Sequence, residues 1–355
     1  MRLLRAEIVG ISPFEGLAFP FTDESDHPRR MTIVHGAGGV GKTTLLGAIA
    51  TTRPGHCVAQ LRQRDSRPDE DAESTPPRVM CEWGLGQDDP SRPHPLVLGS
   101  PNARVFATDE DEALRRREQA LFDRMATEGG FAFLVLASTR WFSRQPIAFS
   151  APGRTIARYD ARAASVLDDA SRSDLARETK QSLAYAAIAR ALGLGDPHAG
   201  RRLERLGDAM HDVVSKLTAL AGFDYAGLDP FTFEPLFKGP DGGPKPFDSL
   251  PTRVRHLVSF GALTVRTLWA AYPERDPRGA EGVVAIDEVD LHQDPGTQAE
   301  LPGALRRALP EVQWILTTTS SVVAASCEPS EVLALRRLPE HAAVALFAGD
   351  QALTH

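Results

Sequence analysis

Gly36-Ala37-Gly38-Gly39-Val40-Gly41-Lys42-Thr43 is set between the apolar run Met31 to Val34 and the helix-like run Thr44 to Ala50, and it decides how this chain is read. It meets G-x-x-x-x-G-K-[ST] at every fixed position. A strand, a glycine loop and a helix in that order are the context a phosphate cradle requires. Glycines let backbone N–H groups turn inward around an anion. The helix that follows brings its positive end to the same place. The stretch from Gly36 through Ala37, Gly38, Gly39, Val40 and Gly41 to Lys42, Thr43 and Thr44 is therefore the expected triphosphate-binding segment. Lys42 would reach the β- and γ-phosphates and Thr43 would hold Mg²⁺.

A second half of such a site lies far downstream, at Val283-Val284-Ala285-Ile286-Asp287-Glu288. Four apolar residues and then two acids have the form of a buried central strand that delivers carboxylates to its tip, where ligands sit in open α/β sheets. Asp287 is expected on the metal. Glu288 is expected to orient and deprotonate the attacking water. Further on, Val312 to Leu316 reads as another buried strand, and its hydroxyl-rich tip, Thr317 to Ser320, stands within reach of the γ-phosphate or that water.

Bulk properties fit a globular protein. The chain has 355 residues, 42% hydrophobic and 25% charged, with a formal net charge of −7. That length accommodates a large core, as one domain with an insertion or as two lobes. The acidic balance excludes a molecule-wide basic field for nucleic acid. Cys57, Cys81 and Cys327 are odd in number and in no C-x-x-C spacing, so neither a disulfide framework nor a zinc site is indicated. No signal-peptide core precedes Gly10, and the longest apolar run, Phe131 to Ala137, is too short for a bilayer. A cytoplasmic protein without membrane insertion is expected.

Along the chain, Leu3 to Ile11 and Leu17 to Phe21 read as strands around a turn, a small antiparallel layer ahead of the glycine loop. Residues 64–78 and 84–101 are proline-rich polar excursions. Leu114 to Met125 reads as a helix, Phe131 to Ala137 as a buried strand, and Ala161 to Leu192 and Arg201 to Ala221 as helices of a compact lobe. A glycine- and proline-rich link, Phe237 to Phe247, leads to a helix from Thr252 to Tyr272, and two strands close the chain. The expected division is 1–110 and 246–355 as the two parts of an ATPase lobe, with 111–245 as an inserted, mainly helical lobe. The expected fold class is α/β: a P-loop NTPase with a mixed central sheet and an N-terminal antiparallel layer.

The glycine loop, IDEVDLH from Ile286 to His292, and PEVQWILTTTSS from Pro310 to Ser321 together resemble the ABC-superfamily ATPases that include RecF, SMC and OLD-type proteins. More narrowly they resemble the bacterial AAA-labelled ATP-binding proteins of that group. Leu291, His292 and Pro295 match that group's L-H-x-x-P. Pro310, Gln313, Ile315, Thr317, Thr318 and Ser320 match its switch strand. The resemblance covers roughly residues 1–50 and 245–340, and implies ATP and Mg²⁺ as ligands and an ATP-sandwiched homodimer. It departs at two places. The switch histidine falls on Thr319, taken here as the catalytic-position equivalent. The signature that contacts the opposing subunit's γ-phosphate falls on Leu250 to Arg255, where Pro251 lacks an N–H and Arg253 replaces glycine. Thr252, Arg253 or Arg255 remains to reach a partner's phosphate. Both departures imply slow or partner-dependent hydrolysis. The Q-loop glutamine is not identifiable, Gln145 and Gln63 being the candidates, and His292 is left as binding or structural.

Other classes fit less well. There is no N-K-x-D for guanine. Residues 321–355 leave no room for a Toprim nuclease, and no heptads are long enough for SMC arms. Arg115–Arg117 and Arg201–Arg205 read first as solvated helix faces, with nucleic acid or a partner protein as the alternative. Two functions stay open: an ATPase switch acting on a separately encoded effector, in DNA maintenance or defence, and a non-hydrolysing ATP-gated scaffold. A small-molecule kinase is the weakest.

Overall fold

The computed structural model describes residues 1–52, 77–84, 96–99, 120, 130–144, 146–147, 174–192, 197–338 and 343–354. Among them, β1 (Arg2–Ile11), β2 (Phe14–Pro20), β4 (Arg78–Gly84) and β5 (Leu96–Gly99) form an antiparallel sheet in the order β2-β1-β4-β5. β3 (Met31–Gly36), β6 (Phe133–Leu136), β10 (Gly282–Ile286), β11 (Val312–Thr318), β12 (Val332–Arg337) and β13 (Val344–Ala348) form the central sheet in the order β13-β12-β3-β11-β10-β6. Only β13 runs antiparallel there. The expected mixed central sheet and antiparallel N-terminal layer are both present.

The inner strands of the central sheet, and β6, are largely apolar without alternation because both of their faces are covered. On β10, Val284 and Ile286 enter one core, with the helices, while Val283 and Ala285 enter another, with the antiparallel sheet. β6 divides the same way, Leu134 and Leu136 against Phe133 and Val135.

Helix α1 (Lys42–Thr51) lies in the second core. Its residues Leu45, Leu46, Ala48, Ile49 and Ala50 are all buried, and it touches β4 and β1 as well as β3 and β11. A helix apolar on every side is one that is wrapped on every side. The other face of the central sheet carries α2 (Ala176–Leu192), α3 (Pro197–Thr218), α4 (Thr252–Ala271), α5 (Pro295–Ala308), α6 (Ser321–Ala325) and α7 (Asp350–Leu353). In α4 the buried hydroxyls of Thr264 and Thr267 bond back to Phe260 O and Leu263 O, so these two polar groups cross the core satisfied.

The segment 111–245, expected as an inserted and mainly helical lobe, gives β6 to the central sheet, paired with β10. The link Phe237 to Phe247 is also more ordered than its glycine and proline content suggests. With β7 (Asp224–Leu228), the strands β8 (Pro235–Lys238) and β9 (Pro244–Pro246) make a three-stranded sheet there. The buried ammonium of Lys180 fastens that region to α2 through Glu234 and Asp248, both at 2.9 Å. The expected helix at Leu114 to Met125, apart from the helical Ala120, the arginines 115–117 and the first part of Ala161 to Leu192 lie outside the described residues. No described helix is long and apolar enough to cross a membrane.

The two sheets are joined through Gln313 of β11. Its buried amide accepts from Leu3 N and donates to Leu3 O, both at 2.8 Å, where the β1–β4 register shifts. Gln313→Leu leaves both backbone groups of Leu3 buried without the amide that pairs them, which costs about 2–6 kcal/mol at 1–3 kcal/mol per group. A urea midpoint equal to wild type would show the anchor to be dispensable.

Candidate functional site

Parallel pairing brings the two halves of the sequence pattern together. β11 lies between β3 and β10, with Thr318 opposite His35 and Leu316 opposite Ile286. All three strands end at the same edge, so the loop after Gly36 and the acids after Ile286 meet across one strand width.

The glycine loop is shaped by its neighbours. Gly41 has φ +97° and caps α1, and a β-carbon there would stand 2.6 Å from Phe14 Cζ and 2.8 Å from Pro13. A β-carbon on Gly36 would stand 2.5 Å from the Leu335 carbonyl of β12. Gly39 has φ +77°, while Gly38 is open. Ala37, Gly38 and Gly39 are exposed, Val40 is buried and Thr44 is half-buried.

Lys42 is buried and donates from Nζ to Gly36 O at 2.6 Å and Ala37 O at 2.8 Å. Burial holds its ammonium below the usual lysine range, against the opposing pull of Asp287, Glu288 and Asp290. The Thr43 hydroxyl donates to Asp287 Oδ2 at 2.7 Å, joining residues 244 apart in sequence. The other carboxylate oxygen, Oδ1, accepts from Thr317 Oγ1 at 2.6 Å.

Glu288 follows with φ +46°, a left-handed conformation that costs a side-chain-bearing residue about 1–2 kcal/mol. Its N–H donates to Thr317 Oγ1 at 2.8 Å, and Val289 N donates to Thr317 O at 2.9 Å. The threonine run divides its hydroxyls by role. Thr317 serves Asp287 and Glu288, Thr318 donates to Asp290 Oδ1, and the exposed Thr319 lies 3.5 Å from Asp290 Oδ2. Ser320 caps α6 and donates to Gln298.

Thr252 and Arg253 stand elsewhere. They open α4, and Arg253 forms a short ion pair with Asp294, while Gln293 Nε2 donates to Arg253 O at 3.2 Å. Arg255 bonds Thr252 Oγ1 at 3.2 Å and covers the Phe142 ring. Neither Thr252 nor Arg253 has a hydrogen bond to the glycine loop among the described residues. The loop from Asp290 to Asp294 thus lies between the two groups. It also carries His292, left-handed at φ +64°, whose ring is 5.3 Å from that of buried His256. Burial, with Arg140 and His292 adding to it, pushes His256 down to about 3, so its imidazole is neutral at ordinary pH. Gln145 and Gln63 fall outside the described residues.

Arg140 is the residue that sequence reasoning missed. It is 5% exposed, and its Nη1 donates to Ala137 O at 2.9 Å and Asp287 O at 2.5 Å, its Nη2 to Glu288 O at 2.6 Å. Its charge lies over the Phe260 ring at 5.2 Å. Burial pushes it down to about 10, with the acids at 287, 288 and 290 opposing, so it stays a cation at neutral pH. The only signal in the sequence was an arginine shortly after a wholly apolar strand.

No family model matches the chain. Its fold is similar to that of solved SMC head domains. One is an SMC head bound to the C-terminal winged-helix domain of ScpA, at 15% identity over 99% of each chain and a TM-score of 0.57. Another, from Pyrococcus furiosus, is a head with an extended coiled coil bound to the C-terminal domain of ScpA. There the identity is 14%, over 98% of this chain and 96% of that one, with a TM-score of 0.54. At these identities the likeness shows the architecture: an α/β P-loop NTPase fold of the SMC-head kind.

Two glycines of the loop separate geometry from composition. Gly41→Ala meets both a left-handed φ and the Phe14–Pro13 wall, and is expected to lower stability by about 2 kcal/mol or more. Gly38→Ala meets neither and should stay within about 0.5 kcal/mol of wild type. Equal denaturation midpoints for the two variants would reject this account of the loop.

Proposed function

We propose that this chain is an ATP-binding switch that hydrolyses ATP slowly or on stimulation by a partner, and that works as an ATP-sandwiched homodimer. The observation that carries the reading is the Thr43–Asp287 hydrogen bond, which joins the glycine loop to the acidic strand tip. Residues 36–44 would hold the triphosphate, with Lys42 exchanging its loop carbonyls for the β- and γ-phosphate oxygens. Magnesium fits the donor set, since a hydroxyl and a carboxylate beside phosphate oxygens are hard ligands of the kind it takes. Thr43 and Asp287 would hold it, and it would neutralise charge on the phosphates. Glu288, turned out of the strand line by its left-handed backbone, is the group to take the proton of the attacking water. Thr319 stands at the neighbouring tip as a neutral hydroxyl, able to orient that water but not to supply a cationic hydrogen bond.

Residues 1–110 and 246–355 then make the ATPase lobe, with β6 added from the intervening segment. The helices of 111–245 are its partner-facing side. Thr252 and Arg253 face an opposing subunit in this scheme. The solved SMC heads that share the fold are bound to domains of ScpA, and by that analogy a separate protein effector is the target of the switch, with nucleic acid as the alternative. The resemblance of the motifs to RecF, SMC and OLD-type ATPases supports a cytoplasmic setting in DNA maintenance or defence.

A second reading has a specific observation behind it. Thr319 stands where the resemblance places a histidine and lies 3.5 Å from Asp290. In that reading ATP locks an assembly and turnover is negligible. Lys42→Ala is expected to abolish nucleotide binding in a titration with a fluorescent ATP analogue. Glu288→Gln is expected to retain binding, lose turnover by a factor on the order of 10² or more, and accumulate as an ATP-bound dimer by mass measurement. Wild-type turnover in Glu288→Gln would remove Glu288 from the mechanism. Phosphate release from wild type at background level, with and without DNA, would leave the scaffold reading standing.

A further inference from the structure

The buried guanidinium of Arg140 has an arrangement that folding alone does not demand. β6 and β10 run parallel, and their last rung is Asp287 N to Leu136 O at 2.8 Å. Beyond it the two chains part. Arg140 spans the gap, taking Ala137 O on one side and the successive carbonyls of Asp287 and Glu288 on the other. No carboxylate pairs with it among the described residues, and its Nε has no hydrogen-bond partner. A buried cation satisfied by backbone carbonyls alone is costly, because carbonyl dipoles repay less of the lost hydration than an ion pair does. The forked geometry explains the choice of residue. Two nitrogens of one plane can hold two successive carbonyls, which an ammonium cannot do with fixed direction.

The carbonyls it holds belong to the strained part of the chain. Glu288 is left-handed, gripped at its N–H by Thr317 Oγ1 and at its C=O by Arg140 Nη2 and, at 3.1 Å, by Leu291 N. Its backbone direction sets where its carboxylate stands. We infer that Arg140 is a positioning residue: its fork holds the Asp287–Glu288 backbone in the left-handed turn that aims the Glu288 carboxylate, and ties that turn to the segment following β6. A displacement of that segment is thereby a displacement of Glu288. The functional part of this rests on the reading of Glu288 as the water-activating group; the clamp itself does not.

The test is hydrogen–deuterium exchange on the full chain without nucleotide, comparing wild type with Arg140→Ala and Arg140→Lys, then steady-state ATP turnover on the same proteins. In both variants, peptides covering residues 287–292 are expected to exchange about tenfold faster or more, while peptides from α4 and β11 keep their rates. Lysine keeps the charge without the fork, so it does not restore protection. In turnover, kcat is expected to fall with KM unchanged, and guanidinium ion below denaturing concentration to recover part of the activity of Arg140→Ala. Unchanged exchange at 287–292 in both variants overturns the inference. So does acceleration spread equally through α4 and β11, or failure of both variants to fold, since Arg140 would then be a general support of the core. If only Arg140→Ala fails to fold, Arg140→Lys decides by the same comparison. The exchange comparison needs no ATP. A wild-type protein without turnover would therefore refute the hydrolytic reading of Glu288, and the exchange result would still decide the clamp.

Discussion

The parallel ladder of β3, β11 and β10 is the constraint on which the rest depends. Residues 36–43 and 287–288 are separated by most of the chain, and no local propensity brings them together. Strand pairing does. With β11 between its two neighbours, the loop that leaves β3 and the acids that leave β10 end at one edge, close enough for the Thr43 hydroxyl to reach the Asp287 carboxylate. The same ladder places Thr317 at the centre of that edge. One hydroxyl there accepts from Glu288 N and donates to Asp287, so the middle strand fixes the geometry of its neighbour's tip. Long-range pairing of this kind is held by burial on both faces, which these largely apolar strands provide.

Much of this was legible in the sequence, for identifiable reasons. Continuous apolar runs ending in glycines, acids or hydroxyls marked β3, β10 and β11, because a doubly buried strand must be apolar until it reaches the edge. The first two strands of the antiparallel layer were legible from the alternation and turn ahead of the loop, whereas β4 and β5 were not, β5 lying within the 84–101 stretch read as a proline-rich excursion. What escaped was of another kind. β6 was seen as a strand, but its membership of the central sheet depends on a partner more than a hundred residues away. β8 and β9 hide among prolines and glycines, because a short sheet held by an ion-paired lysine needs little strand propensity. Arg140 escaped because its partners are carbonyls, and a carbonyl has no letter in a sequence. Thr252 and Arg253 were found as residues, but their attachment to the Asp290–Asp294 side was not.

The two buried cations of this site are satisfied by backbone carbonyls. Lys42 bonds two carbonyls, Arg140 three, and Thr317 an N–H as well as a carboxylate. Two buried cations beside three acids, without a direct ion pair to any of them among the described residues, leave those acids available to other ligands. The carboxylates of Asp287 and Asp290 are held by threonine hydroxyls instead. A neutral partner orients a carboxylate without cancelling its charge, and that suits a place where a metal ion or a water must be attracted.

Helix α1 is enclosed between the two sheets, and the hairpin at Pro13–Phe14 presses on Gly41 at its start. The two walls of the site are therefore built differently. One wall, the glycine loop and its helix, is enclosed on all sides like a keystone. The opposite wall, from Asp287 to Asp294, is a chain of turns with two left-handed residues in it. A displacement of that wall relative to the enclosed one would be taken up in the torsions of those turns, and it would carry the start of α4 with it through Arg253 and Asp294.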